Sequence, residues 1–242
     1  MGSKRFRRLP ITKLGKIKGI LTVTDILRAI TIKGLPEAYD EKISDWMTLT
    51  PRSVRPDVSV VEATKLMSRG NFGSLLITDD DNPEILKGIV TERDILRFYR
   101  DETWDNKKIK DLDDSHLTKG LVTVHHKVSL EEAIRKMDEG RTHRVLTLND
   151  DGSLKGILTA NDITSLSSRE REEIKENKNF LKSINADFVS STSVLTGNPE
   201  MTITRAVEIM CDNGIGSLPI TKDGKIMGIF SERSIVDLVA SK

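Results

Sequence analysis

The sequence predicts an α/β chain in the broad α+β sense: small mixed sheets with helices on their outer faces, built from one unit used four times. Two observations carry this. Four segments share one closing pattern: a Met, a short polar stretch, an apolar strand, a turn, a Gly with two apolar residues, then a hydroxyl. Within a segment, apolar residues at helical spacing give way to short apolar runs separated by turn residues.

The four copies align from end to end. The first reads Met1 … Arg8-Leu9-Pro10-Ile11 … Gly19-Ile20-Leu21-Thr22-Val23-Thr24-Asp25, and the second Met67 … Ser74-Leu75-Leu76-Ile77 … Gly88-Ile89-Val90-Thr91-Glu92-Arg93-Asp94. The third reads Met137 … Arg144-Val145-Leu146-Thr147 … Gly156-Ile157-Leu158-Thr159-Ala160-Asn161-Asp162, and the fourth Met210 … Ser217-Leu218-Pro219-Ile220 … Gly228-Ile229-Phe230-Ser231-Glu232-Arg233-Ser234. Successive Met positions lie 66, 70 and 73 residues apart. That exceeds solenoid periods of roughly 20–50 residues, so each unit is a small domain rather than one coil of a solenoid.

The second copy shows why each element forms. Val58, Val61, Ala63, Leu66 and Met67 recur at helical spacing, with Asp57 and Ser59 where a helix start accepts acidic or hydroxyl side chains. Residues 75–78 and 86–91 are apolar runs flanking Asp79-Asp80-Asp81-Asn82-Pro83, and read as two strands around a turn. A second helix follows over 92–100. The third and fourth copies keep this order, with turns at 149–152 and 222–224. Each unit is thus strand, helix, strand, strand, helix, with boundaries at 1–30, 44–100, 110–168 and 187–242. Met1 stands where the other three Met residues lie inside a helix, so the first unit lacks its opening strand and most of its first helix. Either a preceding segment is missing, through start assignment or an engineered Met-Gly-Ser start, or the protein has three and a half repeats. A missing segment is favoured, because half a helix leaves one core face uncovered.

Composition narrows the function classes. Apolar residues make up 37% and charged residues 31%, and no run approaches the roughly 18 apolar residues of a membrane span. Lys plus Arg (38) nearly balance Asp plus Glu (37), and only 4% of residues are aromatic. A basic, base-stacking footprint for nucleic acid is therefore absent. The single cysteine, Cys211, excludes an internal disulfide framework, fits a reducing cytoplasm and reads as a packed thiol. His116, His125, His126 and His143 form no ligand spacing for a metal. His125 and His126 adjoin on a strand or its end, where neighbouring side chains point to opposite faces, so no shared metal is expected. No nucleophile elbow, Walker loop or dinucleotide fingerprint appears, and no catalysis is expected. The sign-alternating stretch 168–178 reads as an exposed helix extension or linker. Trp46 and Trp104 read as packing anchors.

One place in each of the first three units has nucleotide chemistry. A carboxylate can accept hydrogen bonds from ribose hydroxyls. A hydroxyl at a strand end, followed by N–H groups opening a helix, suits phosphate. Thr22-Val23-Thr24-Asp25, Thr91-Glu92-Arg93-Asp94 and Thr159-Ala160-Asn161-Asp162 supply both at a strand-to-helix junction. The same Thr-x-x-Asp spacing is also a helix capping arrangement, and alone either reading stands.

Gly-Ile-x-Thr-x-x-Asp after a Leu-Pro-Ile-type strand resembles the CBS domain, a regulatory module that works in pairs called Bateman modules. The resemblance covers nearly the whole chain, four times over. It implies units one and two as one module and units three and four as another, joined near 101–110. It further implies four unequal sites. Thr22, Thr24 and Asp25 would work with Arg52, Ser53 and Ser74. Thr91, Arg93 and Asp94 would work with Arg7 and Arg8. Thr159, Asn161 and Asp162 would work with Leu195, Thr196 and Ser217. Ser231 and Arg233 would work with His143 and Arg144, but Ser234 replaces the expected Asp, so this site should be weak or empty. Arg7-Arg8 and His143-Arg144 occupy positions that contact phosphate in relatives such as the gamma subunit of AMP-activated protein kinase.

The resemblance implies a non-enzymatic, cytoplasmic regulatory sensor of AMP, ADP or ATP, with no catalytic cofactor. It would act on an unknown regulated protein by ligand-induced change of module conformation or association. The expected assembly is a homodimer or an internal disc-like pairing of two modules, with no nucleic-acid or membrane partner. The alternatives are a sensor of S-adenosylmethionine or another adenosyl ligand, and a ligand-free interaction scaffold.

Overall fold

The computed structural model describes residues 6–102, 104–113, 116–118, 120–169, 173–174, 177 and 179–242. Met1 and much of the charged stretch 168–178 lie outside the described residues. In the first repeat, β1 (Arg8–Lys13) and β2 (Lys16–Thr22) pair and lead into α1 (Val23–Lys33) and a one-turn helix, α2 (Leu35–Ala38). The second repeat runs from the one-turn α3 (Ile43–Trp46) through β3 (Ser53–Val54), α4 (Val60–Arg69), β4 (Ser74–Thr78) and β5 (Leu86–Thr91) to α5 (Glu92–Phe98). The third has β6 (Thr123–His125), α6 (Leu130–Glu139), β7 (Arg144–Leu148), β8 (Leu154–Thr159) and α7 (Ala160–Arg169). The short α8 (Phe180–Ser183) and α9 (Ala186–Val189) lead to the fourth repeat, with α10 (Ile203–Asp212), β9 (Ser217–Lys222), β10 (Lys225–Ser231) and α11 (Glu232–Ala240).

Local chemistry sets these boundaries. Ser59, Ser129 and Thr202 cap α4, α6 and α10 by accepting the backbone N–H three residues on, at 3.1, 3.1 and 3.2 Å. In the second and third repeats the opening strand runs parallel to the middle one, which pairs antiparallel with the third, in the orders β3-β4-β5 and β6-β7-β8. The fourth repeat departs from this pattern. Its opening strand shrinks to a bridge at Gly197, whose N–H reaches Pro219 O at 2.8 Å and whose carbonyl accepts from Thr221 N at 2.9 Å. A Cβ at Gly197 would meet the side-chain ends of Ile220 and Leu218 at 2.9 and 3.0 Å, so a larger residue would oblige those side chains to shift. In α4, Val61 is exposed rather than core, and Thr64 takes the inward position with its hydroxyl bonded to Val60 O at 2.7 Å.

The described residues form two compact units, one from within 6–11, 18–50 and 121–194, the other from within 12–17, 51–120 and 195–242. The first unit joins the helices of repeats one and three. Val23, Leu27 and Ile30 of α1 share a core with Leu130, Ala133, Ile134 and Met137 of α6 and with Ala160 and Ile163 of α7. The second unit joins repeats two and four. Ala63 and Met67 of α4 and Ile95 and Leu96 of α5 pack with Val207 and Met210 of α10 and Ile235, Val236 and Val239 of α11. The three aligned Met residues in the described part, Met67, Met137 and Met210, are fully buried, as their helical register requires. Helix packing thus groups alternate repeats. The modules expected from chain order are a pairing of neighbouring repeats, which is a different relationship. Trp104 is buried in the second core, with Lys242 Nζ 4.3 Å above its ring, and Trp46 donates its indole N–H to Glu41 at 3.0 Å.

One contact recurs at the Gly-Ile of the last strand. Ile20 exchanges two 3.0 Å backbone bonds with Thr48, Ile157 two with Ser191, and Ile229 two of 3.1 Å with Thr118. In each case a segment leading into another repeat crosses the strand, and the neighbouring glycine makes room for it. A Cβ at Gly19 would meet Thr48 O at 2.6 Å, one at Gly156 would meet Ser191 O at 2.9 Å, and one at Gly228 would meet Leu117 at 2.6 Å. Gly88 differs: among the described residues only its own sheet neighbour Ile77 lies near, at 3.6 Å.

Candidate ligand-binding site

The strand-to-helix junctions are built alike in the first three repeats. Asp25 Oδ2 accepts from Thr22 N at 2.7 Å and from Thr22 Oγ1 at 2.8 Å. Asp94 Oδ2 accepts from Thr91 N and Oγ1 at 2.9 and 2.6 Å, and Asp162 Oδ2 from Thr159 N and Oγ1 at 2.8 and 2.6 Å. Each Asp therefore caps its own helix. Among the described residues the capping uses one oxygen of each Asp, and Oδ1 remains to accept from another group. Asp94 is exposed, and Asp25 and Asp162 are half-buried. The two readings of Thr-x-x-Asp are compatible in one side chain. At the fourth junction Ser234 Oγ accepts from Ser231 N at 3.0 Å and lies 3.4 Å from Ser231 Oγ, both residues being buried. The serine serves as the cap but has no second oxygen to offer.

Each junction is tied to the start of the middle strand. Val23 N donates to Arg7 O at 2.9 Å, Ala160 N to His143 O at 2.8 Å, Glu92 N to Gly73 O at 3.2 Å and Glu232 N to Gly216 O at 3.2 Å. In register, Ser74 faces Thr91, Arg144 faces Thr159 and Ser217 faces Ser231. The identity of the residue at the strand start therefore decides what chemistry adjoins the hydroxyl and carboxylate.

The two units fill that place differently. In the first unit the strand starts are basic. Arg7 Nη1 lies 2.9 Å from His143 Nε2, and Arg144 Nη2 hydrogen-bonds the same nitrogen. Two guanidinium donors on one ring nitrogen require that nitrogen to be the acceptor of a neutral imidazole. The sequence assigns Arg7 and Arg8 to one site and His143 and Arg144 to another; the fold brings Arg7 to His143 and Arg144 within one unit. In the second unit the strand starts are Gly73 and Gly216, and the charges stand one step into the helices. Arg93 Nε pairs with Glu232 Oε1 at 2.8 Å, and Arg233 Nε with Glu92 Oε1 at 2.9 Å. Arg233 also donates to Met67 O at 3.1 Å and Phe72 O at 2.9 Å. Arg93 and Arg233, expected as ligand contacts, are thus held in reciprocal ion pairs between repeats two and four, because each lies opposite a buried Glu.

The remaining expected residues fall as follows. Thr22, Thr24, Asp25, Thr159, Asn161 and Asp162 belong to the first unit; Arg52, Ser53, Ser74, Leu195, Thr196 and Ser217 belong to the second. Arg52 stacks over Phe72, 5.7 Å from its centroid, and Ser53, Leu195 and Thr196 are exposed, whereas Ser217 is buried. Asn161 carries a buried Oδ1 that accepts no hydrogen bond among the described residues. Glu92 and Glu232 were not singled out by their sequence context. The signal that marks them is a Glu-Arg pair opening the last helix of repeats two and four, where repeats one and three have Val23-Thr24 and Ala160-Asn161. The strand-end histidines also differ from expectation. His126 lies one residue past the end of β6, where the alternation of faces stops, and its ring centroid is 4.7 Å from that of His125.

The pattern described by the family "CBS domain" matches residues 1–32, 43–101, 109–169 and 186–241. The chain belongs to the CBS-domain family. It is a regulatory, ligand-binding module by that membership. An uncharacterized 33.4 kDa protein in the ribosomal RNA operon of Thermofilum pendens is 27% identical, over 98% of this chain and 81% of the relative. Protein MJ1225 of Methanocaldococcus jannaschii is 24% identical over 99% of this chain and 90% of its own length. The crystal structure of MJ1225 superposes with a TM-score of 0.84, covering 98% of this chain and 89% of that one, and its description relates it to g-AMPK. An uncharacterized conserved protein from Pyrococcus horikoshii gives 0.66 at 19% identity, over 96% and 91% of the two chains. These likenesses establish the fold. Among the described residues no helix is long and apolar enough to cross a membrane.

Proposed function

We propose that this CBS-domain chain is an adenine-nucleotide-binding regulatory protein that takes AMP, ADP or ATP, without catalysing a reaction. The observation that carries this reading is the convergence of Arg7, His143 and Arg144 in the first unit. Backbone bonds anchor Arg7 and His143 beside the Thr22–Asp25 and Thr159–Asp162 junctions. Guanidinium groups suit a phosphate, and once Arg7 and Arg144 turn to it the imidazole's other nitrogen, Nδ1, is the one able to donate. The free oxygens of Asp25 and Asp162 suit ribose hydroxyls. A nucleotide needs both chemistries within one ligand's length, and the first unit supplies both. The description of the MJ1225 structure, which relates that protein to g-AMPK, agrees with an adenylate ligand.

Regulation follows from population shift. A ligand bound at the basic cluster favours the arrangement of repeats one and three that holds the cluster together, and a partner protein reads that arrangement. The ligand's contribution is limited to its difference in affinity between arrangements.

Isothermal titration with AMP, ATP and S-adenosylmethionine tests the reading. AMP or ATP should bind with saturation, and Asp25→Ala or Asp162→Ala should weaken that binding. S-adenosylmethionine, with a sulfonium in place of phosphate, should bind at least tenfold more weakly. Preferential S-adenosylmethionine binding would make this a sensor of the sulfonium ligand. Absence of any saturable binding would leave a ligand-free scaffold.

A further inference from the structure

A second cluster of ligating side chains lies in the third repeat, on different residues from the basic cluster. His125 Nε2 is 2.7 Å from Asp150 Oδ1, the two imidazole centroids are 4.7 Å apart, and one ligand atom from each of His125, His126 and Asp150 lies within 4.8 Å of the others. His125 ends β6, and Asp150 lies in the turn between β7 and β8, so the cluster joins the opening strand to the hairpin turn. His126 is buried, with its side chain 10% exposed, while His125 and Asp150 face solvent.

We propose that His125, His126 and Asp150 form a binding site for a divalent transition-metal cation of the zinc type. The donor set of two imidazoles and one carboxylate leaves a fourth position for water, which is the arrangement of an open tetrahedral site. Its outer shell is in place. His126 Nδ1 lies 2.9 Å from both Asp187 Oδ2 and Lys155 Nζ, and metal binding selects the tautomer in which Nδ1 donates to Asp187 and Nε2 ligates. Donor atoms around a tetrahedral zinc stand about 3.4 Å apart, as ligand bonds of about 2.1 Å dictate. The exposed His125 and Asp150 can close the remaining distance by side-chain rotation.

Lys127 and Lys155 are the competitors. Lys127 Nζ is 3.4 Å from Asp150 Oδ2, and Lys155 Nζ is 2.9 Å from His126 Nδ1 and 3.4 Å from Asp187 Oδ2. A bound cation displaces Lys127 from Asp150 and leaves Lys155 with Asp187. Imidazole donors favour zinc, copper or nickel over magnesium. The cation then ties the end of β6 to the hairpin turn, and through Asp187 to α9, as a brace within the first unit.

Zn2+ titrated alone into the Cys211→Ser protein, which removes the thiol as a rival ligand, tests this by calorimetry and by thermal unfolding. One Zn2+ per chain should bind, raise Tm in proportion to the logarithm of free metal, and be withdrawn by a chelator. Mg2+ should do neither. His125→Ala and Asp150→Asn, both at exposed positions, should each weaken Zn2+ at least tenfold while leaving the metal-free Tm unchanged, and Asp187→Asn should weaken it about tenfold or more through the outer shell. No saturable Zn2+ binding, or binding undiminished in His125→Ala and Asp150→Asn, overturns the proposal.

Discussion

Arg93 Nε lies 2.8 Å from Glu232 Oε1, and the Glu232 side chain is only 2% exposed. The mirror pair, Arg233 with Glu92, places the same charges in the opposite order across repeats two and four at 2.9 Å. A buried carboxylate is tolerated only with its cation in place, so removal of one partner costs much more than the pair contributes. Arg93→Ala, which leaves the buried Glu232 carboxylate without this cation, should lower stability by about 3 kcal/mol, and Glu232→Ala, which leaves a partly exposed guanidinium, should lower it by less. The double variant should recover part of the loss, which urea unfolding of all three variants would measure. Simple additivity of the two single changes would mean that the pair is not coupled.

The crossing segments give a second prediction. Gly19→Ala, Gly156→Ala and Gly228→Ala each drive a methyl to within 2.6 to 2.9 Å of the crossing segment and should each cost about 1–3 kcal/mol. Gly88→Ala meets no crossing segment among the described residues and should change stability by no more than about 0.5 kcal/mol. Thermal unfolding of the four variants checks the contrast. An equal loss at Gly88 would show that the glycines serve another need.

Asp25 and Asp162 have two roles, and these can be separated. Each caps a helix with Oδ2, so Asp25→Ala should lower stability by about 1 kcal/mol without any nucleotide present. Asp25→Asn retains a side-chain oxygen for the Thr22 bonds and should lose less stability, yet its amide cannot match a carboxylate in accepting two ribose hydroxyls. Comparison of Tm and nucleotide affinity in the two variants distinguishes the roles. If affinity follows stability in both, the Asp acts on ligand only by holding its helix.

Acid should loosen the third repeat at Asp187. Its pKa is lowered in the fold, first by the hydrogen bond from His126 and then by Lys155. A depressed carboxylate stabilises fully above its unfolded pKa, near 3.9, and loses that contribution as pH falls through the lower folded value. Asp187→Asn should therefore show a shallower decline in stability below about pH 4 than the native chain. Unfolding midpoints between pH 5 and pH 2 would measure it; identical acid limbs would contradict the assignment.

The repeated Gly-Ile-x-hydroxyl pattern made the repeats, the strand pair and the following helix legible in the sequence, since each rests on local periodicity and turn chemistry. The Thr-x-x-Asp junctions were legible too, because three residues on one helical turn fix their own geometry. The meeting of Arg7 with His143 and Arg144 was not. It joins residues 136 positions apart through the packing of α1 on α6 and α7, and no local pattern encodes which repeats share a core. The reciprocal ion pairs were missed for the same reason: a Glu-Arg dipeptide reads as solvated charge until the partner helix buries it. Val61 was misplaced because apolar spacing leaves the edge of a helix face undecided, and Thr64 could satisfy its hydroxyl on Val60 O and turn inward. The expectation that His125 and His126 face apart failed because strand alternation ends at His125.

The central claim is that the first unit recognises phosphate through Arg7, His143 and Arg144. The most direct measurement is the ratio of AMP to adenosine affinity, by isothermal titration, in the native chain and in Arg144→Ala. The native chain should prefer AMP by at least tenfold, about 1.4 kcal/mol, and Arg144→Ala should abolish most of that preference while binding adenosine unchanged. Equal affinities for AMP and adenosine in the native chain, or an undiminished preference in Arg144→Ala, would contradict it.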